Sequence, residues 1–421
     1  MLSSKAFKAL KKRSRNSKDN ITIIGAGAAG MAAGLLLKKL QIPFQILEAT
    51  SVYGGRLAKL TGFADYPIDL GAQWLHGKKR ILGDWIDETK MEITHDRSKE
   101  VFWFQNRLVD QLPDTIDIFE DEDLPDVSFK DWAHENGLNA DYDNIIEFMA
   151  GDLGASASKL SVYYNNTEFE NWRTGSKDYK FKETFFDLID RKLAQHLKDD
   201  ILFDTPIKTI DYSNDKVKLI AEDGRKFEAD KVIVTIPISV LQQGDVVFIP
   251  EIPNSKKQAF NKIGMDVGIK IFLKFAERFY KGVTLGGSVC AAYIDEQYGK
   301  TGTTPILLAY LMGDQAERLQ QDGSEDDMIT ALLKELDTMY DGQASEHYLE
   351  AHIQDWGKMP YIKGAYSYST VGMTNARYIA AQPLSDKIFF AGEAMHANGH
   401  HQSVHGAIET GIRAVKEILS G

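Results

Sequence analysis

A glycine-rich segment near the start of the chain has the spacing of a dinucleotide-binding loop. Gly25, Gly27 and Gly30 fit the pattern G-x-G-x-x-G. The first glycine allows a tight turn, the second lets the backbone approach a pyrophosphate, and the third lets a helix pack close to a strand. Glu48 follows at the spacing of the acid that accepts hydrogen bonds from ribose hydroxyls. The loop predicts a dinucleotide cofactor, but it does not choose between NAD and FAD.

The segments around this loop predict the elements that would position it. Ile21–Ile24 is a short apolar run that predicts a buried strand, Ala28–Leu40 is typical of a helix, and Phe44–Leu47 predicts a second strand. In such a βαβ unit the helix N-terminus points its free N–H groups at the phosphates. The combination indicates an α/β fold with a Rossmann-like cofactor domain.

Elements farther along predict that this cofactor domain is discontinuous, because a strong apolar strand lies in mid-chain and a glycine-rich loop precedes the final helix. These elements are a hairpin at 101–109, a helix at 184–197, three strands between 206 and 237 ending with 232–236, a strand at 269–275, a helix at 326–339 and an amphipathic helix at 404–419. The ranges that we assign are 19–78, 185–248 and 383–421 for the cofactor domain, and 79–184 and 249–382 for a mixed α+β substrate-binding domain.

Length and composition describe a globular, acidic chain. The 421 residues include 43% hydrophobic side chains, enough for a sizeable core in two lobes. With 49 lysines and arginines against 61 acids, the net charge of −12 argues against nucleic-acid binding and favours cationic partners. The one cysteine, Cys290, excludes an internal disulfide and a multi-cysteine metal cluster, and it indicates a reducing, cytoplasmic location.

Two charged segments have competing interpretations. Residues 1–18 are basic and precede an uncharged run at 21–37 that is short for a membrane span, so we predict a frayed tail, with a removed targeting segment as the alternative. Residues 110–126 carry eight acids and neither lysine nor arginine. We predict a solvated loop there. The alternative is a negatively charged segment that attracts a cationic substrate to the mouth of a channel. We predict no membrane span elsewhere.

Ordered blocks of sequence extend over nearly the whole chain from Ile21. The blocks are GAGAAG at 25–30, Glu48, GGR at 54–56, DLGAQWLHG at 69–77, VIVTIP at 232–237, KIFLKF at 270–275, Trp356 with GAYS at 364–367, and FAGE at 390–393 with HGA at 405–407 and GIR at 411–413. Together they resemble the flavin-dependent amine oxidases, and DLGAQWLHG is typical of the polyamine oxidase branch.

The resemblance implies an FAD-dependent enzyme that oxidises a primary or secondary amine by hydride transfer to flavin N5. The imine product hydrolyses to an aldehyde and an amine, and oxygen reoxidises the flavin with release of hydrogen peroxide. The resemblance requires no side-chain nucleophile. Ala365 stands where monoamine oxidases place the cysteine that links the flavin, so the resemblance implies non-covalent FAD.

The resemblance also gives four residues a catalytic role. Lys270 would hold a water near flavin N5 and assist reoxidation, although its strand pattern alone fits a solvent-facing lysine. Trp356 would lie against the flavin ring, with a plain core tryptophan as the alternative. Tyr366 would form one wall of an aromatic cage around the amine. His76 would hydrogen-bond a substrate nitrogen, with a structural histidine as the alternative.

The cofactor contacts are implied in the same way. Arg56 would bring its guanidinium onto the pyrophosphate, Glu393 would bind the ribityl and phosphate region, and the N–H of Val404 would meet the pyrimidine edge of the flavin. The positive end of the final helix would stabilise the anionic reduced flavin. The full set is Gly25, Gly27, Gly30, Glu48, Gly55, Arg56, Gly71, Ala72, Gln73, Trp74, Trp356, Gly392, Glu393, Ser403 and Val404.

The second cage wall departs from the family pattern. The positions that usually carry an aromatic residue hold His400 and Ser403, so we expect a cage that is half-built or closed by His400 or His401. Together with His396 and His405, these histidines also fit the pattern of a zinc or copper site. Because His405 matches a helix-start histidine of the family and the segment offers no obvious acid or cysteine ligand, we predict no metal.

Four other functions compete with a polyamine oxidase. A monoamine oxidase would use the same fold. An L-amino-acid oxidase would need an arginine for the substrate carboxylate, often where this chain has Gln73 and Trp74. An NAD-dependent dehydrogenase explains the opening loop but not the closing block at 390–413. A non-catalytic flavoprotein scaffold is the remaining alternative, and the chain lacks the long helical insertion that chromatin-acting relatives use for partners.

Overall fold

The structure is a computed structural model that describes residues 4–15, 18–113, 124–321 and 323–420. No helix in these ranges is both long enough and apolar enough to span a bilayer. The α-helices are α1 (Ser4–Ser14), α2 (Ala28–Leu40), α3 (Ile81–Thr89), α4 (Phe129–Glu135), α5 (Asp143–Asp152), α6 (Val162–Glu170), α7 (Phe185–Lys192), α8 (Ile238–Gln242), α9 (Asn254–Asn261), α10 (Gly313–Gln321), α11 (Glu325–Met339), α12 (Gln343–His347), α13 (Ala376–Ala381) and α14 (Val404–Ile418).

The strands have at most five residues, apart from three in the largest sheet, which have seven or eight. They are β1 (Ile21–Ile24), β2 (Phe44–Leu47), β3 (Lys59–Leu60), β4 (Ile68–Asp69), β5 (Trp74–His76), β6 (Ile93–His95), β7 (Glu100–Phe104), β8 (Arg107–Val109), β9 (Asp178–Phe181), β10 (Ile201–Leu202), β11 (Ile207–Asp211), β12 (Val217–Ala221), β13 (Lys226–Ala229), β14 (Lys231–Val234), β15 (Val247–Ile249), β16 (Ile263–Met265), β17 (Gly268–Phe275), β18 (Val283–Leu285), β19 (Ala292–Asp295), β20 (Ile306–Met312), β21 (Tyr348–Asp355), β22 (Ser367–Ser369) and β23 (Ile388–Phe390).

A five-stranded parallel sheet organises the cofactor part of the fold, in the order β10-β2-β1-β14-β23. Ile21 of β1 pairs in register with Phe44 of β2 and Lys231 of β14. The strands are apolar runs because both faces are covered, as is usual for parallel sheets. Helices α2 and α14 pack on one face, and α8, α9 and α13 pack on the other. The sheet therefore unites three distant segments of the chain.

A seven-stranded sheet organises the substrate part, in the order β21-β17-β20-β19-β18-β7-β8. Helix α11 packs on one face, against Ile269, Ile271 and Leu273 of β17. The opposite face carries Phe272 and packs against residues around Trp356. Strand β17 is therefore buried on both sides over Gly268–Leu273, and Lys274 is its one partly exposed residue.

Most of the predicted elements near the cofactor loop are confirmed. β1, α2 and β2 have the predicted bounds, and the hairpin at 101–109 turns at Gln105 and Asn106, both with positive φ. The helix predicted at 184–197 is shorter. Thr184 and Asp187 form its capping box, and it ends at Lys192 because Leu193 leaves the helical conformation (φ −127°, ψ −67°).

The structure changes the interpretation of the basic leader and of α3, and it leaves most of the acidic segment undescribed. The basic leader is not a frayed tail over its described part, since α1 buries Leu10 against the core that contains α2. Helix α3, which we assigned to the substrate domain, packs into the core of the five-stranded sheet through Trp85 and Ile86. Of the acidic segment at 110–126, residues 114–123 lie outside the described residues, so its two interpretations stay as predictions.

Candidate active site

One cavity of ≈ 1270 Å³ joins most of the predicted site residues. Its cofactor end begins at the glycine loop after β1, at the carboxyl edge of the parallel sheet, where α/β folds bind ligands. Its other end lies beside β5, β17 and β20 of the substrate part. Of the predicted set, Gly30 is the only residue that does not line it.

The glycine loop fits a dinucleotide for three separate reasons. A Cβ on Gly30 would lie 2.0 Å from the carbonyl oxygen of Gly25, so only glycine lets α2 start this close to β1. Gly25 has φ +104°, which side chains rarely adopt. Gly27, in contrast, has no protein atom within 4 Å of a Cβ position, and no side chain caps the helix there. Gly27 and the free N-terminus of α2 therefore face space that suits a pyrophosphate.

Glu48 holds the glycine loop in place. One carboxylate oxygen accepts the N–H of Ala26 at 2.7 Å, and the other accepts the N–H and hydroxyl of Thr50 at 3.0 and 2.9 Å. The residue is buried but lines the cavity. Glu48 therefore orders the loop, and it still offers lone pairs for ribose hydroxyls.

Arg56 and Glu393 form an ion pair at the cavity wall. Arg56 Nη1 donates to Glu393 at 2.9 Å and to the carbonyl of Ala365 at 2.7 Å. The carboxylate of Glu393 also accepts from the hydroxyl of Ser367 at 2.7 Å and from the N–H of Gln402 at 2.9 Å. Burial alone would raise the pKa of Glu393, but Arg56 and these hydrogen bonds lower it to about 2. Glu393 is thus an anion that fixes Arg56 and the loop before α14.

The final helix begins at the same cavity. Ser403 caps α14 by accepting the N–H of Gly406 at 3.0 Å, and Val404 is the first helical residue. Gly392, with φ +127°, donates its N–H to Thr410 on the first turns of this helix at 2.9 Å. The positive end of α14 therefore faces the cavity, where it would favour an anionic group.

The DLGAQWLHG segment folds against Arg56. A Cβ on Gly71 would lie 1.8 Å from the carbonyl oxygen of Arg56, which explains the need for glycine. Ala72 donates its N–H to the same oxygen at 3.2 Å. Trp356 packs beside Gly71 and donates its indole N–H to Leu70 at 3.0 Å. Trp356 is therefore a buried residue of the cavity wall, and its contact with the flavin ring stays a prediction.

Lys270 is buried at the cavity wall rather than exposed to solvent. Its Nζ donates to the side-chain oxygen of Gln73 at 2.7 Å and to the carbonyls of Gly71 and Asp69 at 2.8 and 3.2 Å. Burial lowers the pKa of Lys270, and Glu296 and Asp69 oppose that shift. Three acceptors for three N–H groups match a charged ammonium.

A buried group of charges behind Lys270 was not predicted. Glu296 is fully buried and accepts a hydrogen bond from the amide of Gln73. Lys180 Nζ lies 3.9 Å from Glu296, and Lys300 Nζ lies 3.7 Å from Asp69. Strands β9, β17 and β4 and the loop after β19 bring these groups together, so no local spacing in the sequence signals them.

Tyr366 forms one wall of the cavity together with an unpredicted partner, Tyr310. Their hydroxyls lie 2.5 Å apart, and Tyr366 donates to the carbonyl of Asp152 at 3.0 Å. A Cβ on Gly154 would lie 2.5 Å from the ring of Tyr366, so this glycine is needed for the ring to pack. Tyr310 is the cross-strand neighbour of Lys270. The tyrosine pair therefore stands directly beside the buried lysine.

His76 and Trp172 form a further part of the wall. His76 Nδ1 lies 2.9 Å from Asp178, and its ring meets Trp172 edge-on at 6.0 Å. Burial lowers the pKa of His76, but the hydrogen bond and charge of Asp178 raise it above its ordinary value. Trp172 follows α6 and lines the cavity, and sequence reasoning missed it because no family block includes it.

The expectation that His400 or His401 closes the cage is wrong. Both are buried, and neither lines the cavity. His400 Nδ1 lies 2.8 Å from Glu409, and His401 Nε2 lies 2.9 Å from Glu168. Trp172, which does line the cavity, packs edge-on against His400 with ring centres 5.4 Å apart.

The histidine cluster does have an acidic neighbour, contrary to our expectation, because α14 brings Glu409 to it. His396, His400 and Glu409 place donor atoms within 4.8 Å of one another. However, His396 Nδ1 accepts the N–H of His400 at 3.1 Å, and His400 Nε2 accepts the N–H of Arg173 at 3.1 Å. Each ring therefore carries its proton on the nitrogen facing Glu409, which leaves no lone pair there for a metal.

The sequence of this chain is similar to those of known proteins. The family model for flavin containing amine oxidoreductases matches residues 28–419. "Probable polyamine oxidase 4" of Arabidopsis thaliana is 27% identical over 96% of this chain and 88% of that protein. Human "Lysine-specific histone demethylase 2" is 27% identical over 95% of this chain, which spans 53% of that protein.

Two solved structures show the same fold. A putrescine oxidase with bound putrescine matches with a TM-score of 0.79 at 20% identity, over 96% of this chain and 99% of that one. Cyclohexylamine oxidase from Brevibacterium oxydans matches with a TM-score of 0.80 at 19% identity and the same coverage. At these identities the likeness establishes the fold.

Proposed function

Because this chain belongs to the flavin-containing amine oxidoreductases, we propose that it oxidises an aliphatic diamine or polyamine with oxygen as the electron acceptor. The observation that carries the proposal is the single cavity that joins a dinucleotide loop, a buried lysine and a tyrosine pair. Relatives named as polyamine oxidases, at 25% to 27% identity over most of the chain, support the polyamine class.

The residues of the cofactor end fit FAD. Gly27 and the free N-terminus of α2 would hold the pyrophosphate, Glu48 would face the ribose, and the positive end of α14 would face the ring system. Cys290 is buried in another core, and Ala365 offers no thiol, which agrees with non-covalent binding. Once bound, FAD supplies the two-electron oxidation of the C–N bond.

The residues of the other end would bind and orient the amine. Tyr310 and Tyr366 stand beside Lys270, and Trp172 and His76 continue the wall. Aromatic rings attract alkylammonium groups and pack against methylene chains. The enclosed, largely apolar wall would exclude water from the reacting amine and strengthen electrostatic interactions there.

Lys270 would serve the oxygen half of the reaction. Its three protein acceptors hold the ammonium charge at the wall, close to Trp74, whose ring centre lies 5.7 Å from Nζ. Reduction of oxygen produces negative charge, and a fixed cation stabilises that charge most effectively in a site with little water. The lysine would therefore act through its charge rather than as a base.

An L-amino-acid oxidase fits this cavity less well. Two arginines line it, Arg56 and Arg173. Arg56 is paired with Glu393, and Arg173 donates to the carbonyls of Glu170 and Trp172. The charge of Arg56 is thus compensated by the protein, and Nη1 of Arg173 is committed to backbone carbonyls.

An anaerobic titration with a panel of amines tests the proposal. The purified protein should show a visible flavin band that spermine, spermidine, an acetylated polyamine or a diamine bleaches. Bleaching by aromatic monoamines alone would assign the chain to monoamine oxidation. A band that no amine changes would reject amine oxidation and leave amino acids or a scaffold function, and the lack of a band would reject FAD.

A further inference from the structure

Trp172 lies at the cavity wall on a segment without helix or strand. Helix α6 ends at Glu170, and β9 begins only at Asp178. Between them the indole ring of Trp172 is half-buried, lines the cavity and meets the ring of His76 edge-on. A loop fixes its side chains less precisely than a helix or strand does, so contacts from other elements must set the orientation of this ring.

Those contacts come from residues 396–403, the segment before α14, which we call the histidine loop. His400 Nε2 accepts the N–H of Arg173, the residue after Trp172, at 3.1 Å. The imidazole ring also packs edge-on against the indole, with ring centres 5.4 Å apart. His400 is 2% exposed. This histidine therefore holds the backbone beside Trp172 and packs against the ring itself.

Glu409 of α14 determines which nitrogen of His400 can accept a hydrogen bond. Its carboxylate lies 2.8 Å from Nδ1 of His400, and Arg80 donates to the other carboxylate oxygen at 3.2 Å. Burial alone would raise the pKa of Glu409, but the hydrogen bonds and charges of His396 and His400 lower it. Because an ionised carboxylate only accepts hydrogen bonds, Nδ1 of His400 carries the proton and Nε2 keeps the lone pair that accepts the N–H of Arg173.

A second attachment holds the end of α6 against the same loop. His401 Nε2 lies 2.9 Å from the carboxylate of Glu168, which also accepts the Nε–H of Arg377 at 2.9 Å. Gly399 has φ +83°, and a Cβ there would lie 2.4 Å from the carbonyl oxygen of Glu168, so the two backbones are in contact. The end of α6 and the segment that carries Trp172 are thus held by the histidine loop on both sides of the ring.

We propose that His400 is a positioning residue for amine binding, which holds Trp172 in the orientation in which the indole forms the second aromatic wall of the amine cavity. This inference rests on the amine-oxidase function proposed above. It accounts for a departure from the family pattern, in which His400 and Ser403 occupy the usual positions of that wall. In this chain a distant segment supplies the ring, and the histidine loop supplies its support.

The orientation of the indole matters because its π-system is polar. The face of an aromatic ring carries negative charge and its edge carries positive charge, so an alkylammonium group is attracted only to the face. A ring that has lost its support presents its face to the cavity for only part of the time. Loss of His400 should therefore weaken amine binding and leave the chemistry at the flavin unchanged.

Two variants separate the contacts of His400. His400→Leu keeps a side chain of similar size but removes the acceptor for Arg173, and His400→Gln restores an acceptor oxygen. The holoenzyme is mixed anaerobically with spermidine or 1,4-diaminobutane, whichever bleaches the wild-type flavin at the lower concentration. His400→Leu should raise the Kd of the amine about fivefold to tenfold, with the limiting rate of bleaching within about twofold of the wild type. His400→Gln should recover most of the affinity.

A double-mutant cycle tests whether His400 acts through Trp172. In the Trp172→Ala background, His400→Leu should change the Kd by less than about twofold, because the ring that it positions is absent. His352→Leu is the matched control. His352 packs against the rings of Phe63 and Phe272 outside the cavity wall, and its loss should leave the Kd unchanged.

Hydrogen exchange provides a measurement that needs no amine. The N–H of Arg173 should exchange slowly in the flavin-bound wild type and about fivefold or more faster in His400→Leu, because its acceptor is gone. Mass spectrometry of the peptide that contains residues 171–175 gives both rates. His400→Gln should restore slow exchange.

Three results would overturn the inference while leaving amine oxidation intact. They are an unchanged Kd in His400→Leu, an equal loss of affinity when Trp172 is already alanine, and unchanged exchange at Arg173. Loss of FAD or a much lower limiting rate in His400→Leu would also overturn it, since His400 would then support the cofactor site. If no amine bleaches the wild-type flavin, the proposed function fails and the inference fails with it, even where hydrogen exchange confirms the contact with Arg173.

Discussion

The ammonium of Lys270 lies 2.7 Å from the side-chain oxygen of Gln73, and the amide of Gln73 donates in turn to Glu296. This chain of contacts fixes both the orientation of the amide and the charge of the lysine. Because an amide flipped the other way would point its N–H₂ group at Lys270, Glu296 acts as a positioning residue for the cavity wall.

We predict that Lys270→Met slows reoxidation of the reduced flavin by oxygen while FAD stays bound. The methionine keeps the packing but removes the charge that favours oxygen reduction. The rate of flavin reoxidation after mixing with oxygen, and the flavin content per chain, are the measurements. Lys274→Met is the matched control, since Lys274 lies on the same strand and pairs with Glu350 at the surface. Unchanged reoxidation in Lys270→Met would exclude the role.

The pH dependence of reoxidation should follow the same lysine. Burial lowers the pKa of Lys270 from its ordinary 10.5, so its ammonium is present at low pH and is lost as pH rises through a value below 10.5. The reoxidation rate of the wild type should therefore fall over the alkaline range, and that of Lys270→Met should not. An identical fall in both proteins would assign the titration to another group.

Removing the buried carboxylate of Glu296 should destabilise the fold. Glu296→Gln removes a negative charge that compensates the positive charges of Lys180 and Lys270 in the protein interior. Breaking a buried ion pair costs about 3–5 kcal/mol of stability. Unfolding in a chemical denaturant measures the free energy of unfolding of each variant. Glu92→Gln removes an acid that pairs with Lys182 at the surface, and it should cost less than about 1 kcal/mol. Similar losses in both variants would show that the buried network contributes little.

Two glycines of the cofactor loop should respond differently to alanine. Gly30→Ala drives a Cβ to 2.0 Å from a backbone oxygen, so the apoprotein should be strongly destabilised. Gly27→Ala meets no protein atom within 4 Å, so the apoprotein should keep its Tm while FAD affinity falls. The Tm of the apoprotein and the Kd for FAD separate the two effects. Normal FAD binding by Gly27→Ala would show that the cofactor does not approach this position.

Trp172 should contribute to amine binding. Trp172→Ala removes the ring beside His76 and should raise the Kd of the amine about tenfold, since a cation–π contact contributes about 1–2 kcal/mol. Trp172→Phe keeps an aromatic face and should recover most of the affinity. The anaerobic bleaching curve gives both values. A wild-type Kd in Trp172→Ala would show that a residue other than Trp172 forms the second wall of the aromatic cage around the amine.

The local part of the site was predictable, and the long-range part was not. The glycine loop, Glu48 and the final helix have short, regular spacing, and the structure places them together. Lys270 was ambiguous because alternation suggests one solvent-facing side, whereas Phe272 on the same side of β17 is 0% exposed. In a strand that is covered on both faces, the alternation of residue types does not predict which side chains are exposed to solvent.

Contacts that depend on the packing of distant segments could not be predicted from the sequence. Tyr310 reaches Lys270 because β20 pairs with β17 in one particular alignment. Glu296 directly follows β19 of the same sheet and accepts a hydrogen bond from Gln73. Glu409 lies on α14 and contacts His396, which lies in the segment before that helix. Each pairing is set by packing between distant segments, so neighbouring residues in the sequence do not reveal it.

The position of β23 and α14 also determines when the cofactor site can exist. Strand β23 adds the fifth strand beside β14, and α14 packs against α2 beside the glycine loop. A ribosome makes the glycine loop early and these two elements late, so the growing chain holds an incomplete FAD cavity until residues 388–418 have emerged. Flavin loading therefore requires that residues 388–418 have been synthesised and have packed onto the parallel sheet.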